Sequence, residues 1–157
     1  MREKGDEKEM KKIGTKVVTG RINTNTYQGQ ENKIHLFDGK FTTGYRVVSF
    51  TVVPKIPSAT YELTGKVSTE PLSTISEFRW DDVREVAWAG WNFTNSSSDL
   101  VYENIREDNM AVEDLWVSVY FGGGTIEINY EIVLEKYEFH AYDGAAFQIR
   151  NKSQAGA

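Results

Sequence analysis

The residues closest in type and spacing to a catalytic pair are Glu127, Asn129 and Glu131, which alternate with the apolar Ile128 and Tyr130. Strand alternation places the three polar side chains on one face, with the two glutamates about 13 Å apart along the strand. Glycosidases need two carboxyl groups about 5–9.5 Å apart, so this pair alone fits neither of their mechanisms. We therefore interpret the row as the solvent-facing side of a sheet. A partner carboxylate from a neighbouring strand is the catalytic alternative.

Other chemistry-bearing residues lack the spacing that a specific reaction needs. Acidic residues that suggest a calcium site are Asp99, Glu103, Asp108, Glu113 and Asp114. They do not follow the alternating positions of a calcium loop, so a solvated acidic loop is the simpler interpretation. The chain has no cysteine and two histidines, which leaves no thiolate site and too few imidazoles for a histidine metal cluster. We expect no catalytic residues, no cofactor and no metal.

Aromatic residues form the other candidate set, since Phe, Trp and Tyr account for 20 of the 157 residues. Trp88 and Trp91 are an odd number of residues apart, so a regular strand places them on opposite faces. One is then a core residue, and the other faces outwards or into a second layer. Exposed Trp and Tyr are typical of protein interfaces and of sugar-stacking platforms. The resulting interface or binding candidates are Trp88, Trp91, Trp116, Tyr120, Glu127, Asn129 and Glu131.

Charge and composition restrict the partners. The net charge is −5, and between Asp99 and Glu138 ten acidic residues face only Arg106 and Lys136. An acidic body without a basic stripe is repelled by phosphate backbones, so we expect no nucleic-acid partner. The N-terminal residues are charged where a signal peptide is apolar, and no segment has the length of a membrane span. We expect a protein that folds in a cytoplasm and does not contact a membrane.

The elements that must position these residues follow a period of two. In Thr60 to Val67, Tyr61, Leu63 and Val67 alternate with a polar row that contains Lys66, which predicts a half-buried strand. The same pattern predicts strands at Leu115–Phe121 and Thr125–Phe139, joined by Gly122–Gly124 as a tight hairpin. The alternation changes phase beyond Leu134, which predicts a bulge or a twist near Glu135. Further strands are predicted at Lys16–Ile22, Lys33–Phe37, Tyr45–Val53, Val86–Trp91 and Ala145–Arg150. Helix is restricted to Glu77–Arg84 and Glu103–Asp114.

These elements predict an all-β fold, an antiparallel two-sheet β-sandwich or jelly roll with a disordered N-terminal arm. A closed barrel is the competing architecture. The boundaries are a flexible charged arm at residues 1–15, one β-sandwich domain at 16–150 and a flexible tail at 151–157. One core of this size needs no disulfide or metal to fold.

Three stretches carry a resemblance to a known group of proteins. They are Ile34–Gly44 (IHLFDGKFTTG), Val86–Ala89 (VAWA) and Ile132–Tyr137 (IVLEKY). In these residues the chain resembles uncharacterised β proteins of marine phages and viruses, which are similar to virion structural proteins such as capsid decoration proteins. The likeness spans about residues 33–138. It implies a β-sandwich or jelly roll that is assembled in a host cytoplasm as part of a symmetric shell.

Two functional hypotheses follow. The first is a non-enzymatic structural or assembly protein of a viral capsid, whose partners are copies of itself and other virion proteins. The second is a carbohydrate-binding β-sandwich module, or a glycoside-active jelly roll. In that case surface Trp rings would stack on sugars while Glu127, Asn129 and Glu131 accept hydrogen bonds from sugar hydroxyls.

Overall fold

The computed structural model describes residues 10–24, 31–57, 61–72, 75–93, 100–123 and 125–152. In these residues the chain forms eight strands and one helix. The strands are β1 (Lys11–Asn23), β2 (Glu31–Ile34), β3 (Thr43–Pro54), β4 (Tyr61–Ser68), β5 (Glu85–Phe93), β6 (Leu100–Ile105), β7 (Leu115–Phe121) and β8 (Glu127–Glu138), and the helix is α1 (Ala141–Lys152).

The strands form two antiparallel sheets that pack face to face, so the predicted all-β sandwich is confirmed. One sheet has three strands in the order β1-β8-β3, and the other has five in the order β2-β7-β4-β5-β6. Rolling up an antiparallel ribbon pairs the first strand with the eighth, the second with the seventh and the fourth with the fifth, which is the scheme of a jelly roll. All three of these pairs are present.

Strand β6 departs from that scheme. A regular jelly roll would pair it with β3, but here it pairs with β5 at the edge of the five-stranded sheet. Strand β6 still lies beside β3, since the carboxylate of Glu103 on β6 accepts a hydrogen bond from the backbone N–H of Phe50 on β3. A side chain therefore closes this side of the sandwich in place of a strand pairing.

The core lies between the two sheets and is built by alternation in both. Phe50, Ile128 and Ile132 of the three-stranded sheet are fully buried, and Val67, Val117 and Val119 face them from the five-stranded sheet. Burying one such side chain is worth about 1.5–3 kcal/mol. The inward faces of β4, β7 and β8 are therefore those that the sequence pattern predicts.

The predicted hairpin through Gly122–Gly124 is wrong. Strand β7 pairs with β2 and β4, whereas β8 pairs with β1 and β3 in the other sheet. The connection therefore crosses from one sheet to the other, as the last connection of a jelly roll does. Val117, Val119 and Ile128 are nevertheless buried, as expected. They belong to facing sheets and share the core between them, instead of lying on two hydrogen-bonded neighbouring strands.

The segment Ala145–Arg150, predicted as a strand, lies within α1. Asp143 in the first turn and Arg150 in the last turn complement the helix dipole. A side chain at Gly144 would collide with the carbonyl oxygen of Phe41, so a glycine is needed where the helix meets that loop. The Phe147 ring packs on Phe139, with 5.3 Å between the ring centroids.

Other boundaries also shift. Strand β1 begins at Lys11, so residues 11–15 belong to the sheet rather than to the predicted arm, while residues 1–9 lie outside the described part. Asn151 is buried in α1 instead of starting a flexible tail. The predicted helices at Glu77–Arg84 and Glu103–Asp114 are irregular segments, apart from the end of β6.

The predicted change of phase near Glu135 does not occur within β8, because Tyr137 stays on the same face as Glu135 and donates a hydrogen bond to it. The irregularities lie in the neighbouring strands. The register shifts between Lys12 and Gly14 on β1, and between Val47 and Ser49 on β3. Phe139 is then buried in a second apolar cluster with Met110 and Val112.

Candidate functional site

The outer face of the three-stranded sheet holds the polar row that the sequence singles out. Glu127, Asn129 and Glu131 point away from the core, because Ile128, Tyr130 and Ile132 point into it. We call this outer surface the open face. Neighbouring strands contribute Thr19 and Arg21 from β1, and Thr51 and Val53 from β3.

An ion-pair cluster lies at one end of the open face. The Lys55 Nζ donates to Glu127 Oε2 at 2.9 Å, and Arg21 Nη1 lies 4.0 Å from Glu127 Oε1. The Arg21 Nε also donates to Asn129 Oδ1 at 2.9 Å. The hydrogen bond from Lys55 is the main cause that lowers the pKa of Glu127. Glu127 is therefore a fixed anion rather than a proton donor.

A second cluster lies at the opposite end, around Glu135. Its carboxylate accepts hydrogen bonds from the Tyr137 hydroxyl at 2.7 Å, from Lys12 Nζ at 3.0 Å and from Arg46 Nη2 at 3.1 Å. These donors, with Tyr137 first, lower the pKa of Glu135 to about 2. The same contact with Glu135 raises the pKa of the Tyr137 hydroxyl.

Between the two clusters the surface is a shallow depression of about 630 Å³. It is lined by hydroxyl, apolar, amide and charged groups, namely Thr19, Arg21, Thr51, Val53, Asn129 and Glu131. Val17 and Val133 continue it towards Glu135, and Val17 is 57% exposed. The open face therefore has an apolar and hydroxyl-rich centre with ion pairs at both ends.

Strand β1 forms one margin of this face. It pairs with β8 along its length, and none of the described strands pairs with its other edge. Lys11, Lys12 and Lys16 and the bulge at Ile13 lie in its first half, where they disfavour pairing with another chain. From Val17 to Asn23 the strand has no lysine and one charged side chain, Arg21, whose Nε donates to Asn129 on the open face.

The aromatic candidates lie on the other sheet. Trp91 packs against the core, whereas Trp88, Trp116 and Tyr120 are on the outward side of the five-stranded sheet. Trp88 is nevertheless buried, because residues 75–84 cover it. Lys33 Nζ lies 5.5 Å from the Trp116 ring centroid. The platform of surface Trp rings beside Glu127, Asn129 and Glu131 is therefore not formed, because these groups are on opposite sides of the sandwich.

The acidic residues considered for calcium serve separate structural contacts. Asp114 accepts hydrogen bonds from the N–H groups of Leu36 and Phe37, and Glu113 accepts one from Gln148. Burial raises the pKa of Asp114, but these N–H groups and Lys33 outweigh it and the net shift is downward. Within the described ranges, no group of three or more His, Asp or Glu side chains is arranged to hold a metal. Asp99 lies outside those ranges.

Sequence reasoning missed a buried ion pair. Lys66 was expected on a solvent-facing row, but its ammonium lies 2.7 Å from the Glu85 carboxylate, with both side chains at most 1% exposed. Residues 75–84, which we call the covering segment, close over the pair. Glu85 accepts hydrogen bonds from the Arg79 N–H and the Trp88 indole, each at 2.8 Å, and Lys66 donates to the Glu77 carbonyl. The alternation of polar and apolar residues along one strand does not show that a distant segment of the chain covers its outward face.

None of the described helices is long and apolar enough to span a membrane. Comparison with known proteins yields no matching family model. No curated protein matches the chain either. The function is therefore argued from the surfaces described above.

Proposed function

We propose that the protein is a non-enzymatic structural subunit that acts by self-association. Its proposed setting is a viral particle assembled in a host cytoplasm, as a capsid or capsid-decoration component in contact with copies of itself and with other virion proteins. The viral setting rests on the sequence resemblance. The jelly-roll pairing of the strands supports it as a fold-level analogy, since viral capsid domains use that fold.

The observation that carries self-association is the edge of β1 with which none of the described strands pairs. Such an edge presents a row of backbone N–H and C=O groups to any second strand. Antiparallel pairing of β1 with β1 of a second copy places the same residues on both sides, as a twofold interface requires. The two three-stranded sheets would then become one continuous sheet, and the two open faces one surface.

The open face supports the same proposal. Its centre carries exposed or half-buried Val17, Val53 and Val133, and its ends carry the Glu127 and Glu135 clusters. An apolar centre with a polar rim is the usual anatomy of a protein interface. Because lowered pKa values keep Glu127 and Glu135 ionised, neither is suited to general acid catalysis near neutral pH.

The test is light scattering on a sizing column with two matched variants. Val17 and Val101 are each 57% exposed, Val17 on the free edge strand β1 and Val101 on β6. We expect the wild-type chain to elute above the monomer mass at tens of micromolar, Val17→Lys to elute as a monomer, and Val101→Lys to behave like wild type. Circular dichroism checks that both variants fold.

Two results would contradict the proposal. One is a wild-type chain that stays strictly monomeric at these concentrations. The other is dissociation by Val101→Lys with no effect of Val17→Lys, which would place the contact on β6.

A further inference from the structure

We propose that the outward face of helix α1 binds α1 of a second copy of this chain, with the two helices antiparallel about a twofold axis. The inward face of α1 is already used, since Gly144 and Asn151 are buried and the Phe147 ring packs on Phe139. The outward face includes no residue of β1, so it is a second interface on the same subunit. It rests on the proposed function only for the assembly that it would extend.

Uncharged side chains form the outward face of α1. They are Tyr142, Ala145, Ala146 and Ile149, at positions i, i+3, i+4 and i+7, which lie on one side of a helix. Tyr142 is 84% exposed and Ile149 is 70% exposed, the two highest values among the large hydrophobic side chains of the described ranges. A shallow depression of about 590 Å³ borders Ala145 and Ile149. Exposed apolar side chains on one helix face, with small residues between them, are typical of a face that pairs with another helix.

Charge complementarity favours a second copy as the partner. Asp143 and Arg150 are seven residues apart, so they lie on the same flank of the outward face. A twofold axis that makes two α1 helices antiparallel brings equal flanks together and reverses their direction. Asp143 of each copy then faces Arg150 of the other, and the contact forms twice. The other cation of the last turn, Lys152, is paired with Glu70 and Glu113 of its own chain.

The Arg150 side chain is positioned by its own chain. Its Nη1 donates to the backbone carbonyl of Asp108, which holds the guanidinium beside α1. A guanidinium has five N–H donors, and this contact uses one of them. The group can therefore keep its contact with Asp108 and also bind the carboxylate of a second copy. An ion pair at the rim adds little affinity, but it selects the antiparallel orientation.

The size of the contact makes it weak by itself. A twelve-residue helix is about 18 Å long, so the paired area is well below the roughly 1,200 Å² of a stable interface. We therefore expect the α1 contact to add to the β1 pairing rather than to replace it. A dimer joined through β1 would present two α1 helices, and two different twofold contacts on one subunit link such dimers into a larger assembly.

The test is disulfide trapping, which suits this chain because it contains no cysteine. In Ala146→Cys the thiol lies near the proposed twofold axis and meets its own counterpart in the second copy. Ala141→Cys is the control, since Ala141 is also exposed on α1. Antiparallel pairing places its two copies about 14 Å apart along the helix axis, whereas a disulfide needs Cα atoms within about 7 Å. When the full chain is oxidised with diamide at hundreds of micromolar, we expect Ala146→Cys to form dimers and Ala141→Cys to stay monomeric.

Further substitutions separate the two interfaces and locate the contact. Both cysteine variants are also made together with Val17→Lys, which removes the β1 contact. Adding Ile149→Lys to Ala146→Cys should slow dimer formation about tenfold, because a lysine replaces a central apolar contact. Ile56→Lys is the matched control, since Ile56 is 56% exposed and lies beyond the end of β3, and it should leave the rate unchanged. Circular dichroism checks that each variant folds.

The proposal fails if Ala146→Cys forms no dimers, or if it forms them at the same rate as Ala141→Cys, as random collision would. It also fails if Ile149→Lys has no larger effect than Ile56→Lys. These outcomes are distinct from a failure of the proposed function. A wild-type chain that is monomeric in the sizing experiment, with Ala146→Cys still trapped as a dimer, would reject the β1 contact and support the α1 contact.

Discussion

Two lysine–glutamate pairs of almost the same length lie in opposite environments in this protein. Lys55 and Glu127 are 2.9 Å apart on the open face, with side chains 49% and 36% exposed. Lys66 and Glu85 are 2.7 Å apart beneath the covering segment, with side chains 1% and 0% exposed. The two pairs have the same residue types and almost the same distance, but only Lys66 and Glu85 lie beneath a segment of the chain.

The comparison separates a structural ion pair from a surface one. Water screens the Lys55–Glu127 pair, so it adds little to stability and can be exchanged for contacts with another chain. The Lys66–Glu85 pair has lost its hydration, and it is balanced by the Arg79 N–H, the Trp88 indole and the Glu77 carbonyl. The covered face of the five-stranded sheet is thus committed to the fold, while the open face remains available for association.

The largest expected effect comes from breaking the buried pair. Glu85→Gln should lower the free energy of unfolding by about 3–5 kcal/mol, because it removes the carboxylate charge that lies 2.7 Å from the buried Lys66 ammonium. Denaturant melts measure this loss. Glu127→Gln, the matched change on the open face, should lower stability by only a small fraction of that amount.

Two further readouts sharpen the same test. The double variant Lys66→Met, Glu85→Met should recover much of the loss, because apolar groups of similar volume can replace a buried ion pair. Limited proteolysis of Glu85→Gln should cut within the covering segment first. If Glu85→Gln and Glu127→Gln have equal effects, the environments of the two pairs do not differ as described.

A smaller effect is expected from acid on the open face. The pKa of Glu135 is lowered to about 2 in the folded chain from an ordinary value of 4.5. The contribution of Glu135 is therefore complete above about pH 4.5 and is lost as the pH falls towards 2. Urea melts of wild type and Glu135→Gln should differ at pH 7 and converge as the pH approaches 2. A difference that grows in acid would contradict the assigned contacts.

The sequence predicts the faces of the strands better than their partners. A period of two identifies the inward rows of β4, β7 and β8, and it separates Trp88 from Trp91. The same period says nothing about which strand lies alongside. The three glycines therefore predict a hairpin, whereas β7 and β8 belong to different sheets. Pairing depends on contacts between residues far apart in the chain, and local alternation does not record them.

Two other errors have a similar origin. Phe147 and Ile149 alternate like strand residues, but in α1 Phe147 packs on Phe139 and Ile149 is 70% exposed. Two apolar positions are too few to distinguish a strand from a helix. The Glu127, Asn129 and Glu131 row was placed correctly, whereas its cation partners Arg21 and Lys55 come from the flanking strand β1 and from the residue that follows β3.

The most direct test of the central claim is amide hydrogen exchange measured as a function of protein concentration. If β1 pairs with β1 of a second copy, exchange in a peptide covering residues 11–23 should slow as the concentration rises. Exchange in a peptide covering residues 100–105, which form the edge strand β6 of the five-stranded sheet, should stay constant. Unchanged exchange in residues 11–23, or slowing confined to residues 100–105, would contradict self-association through β1.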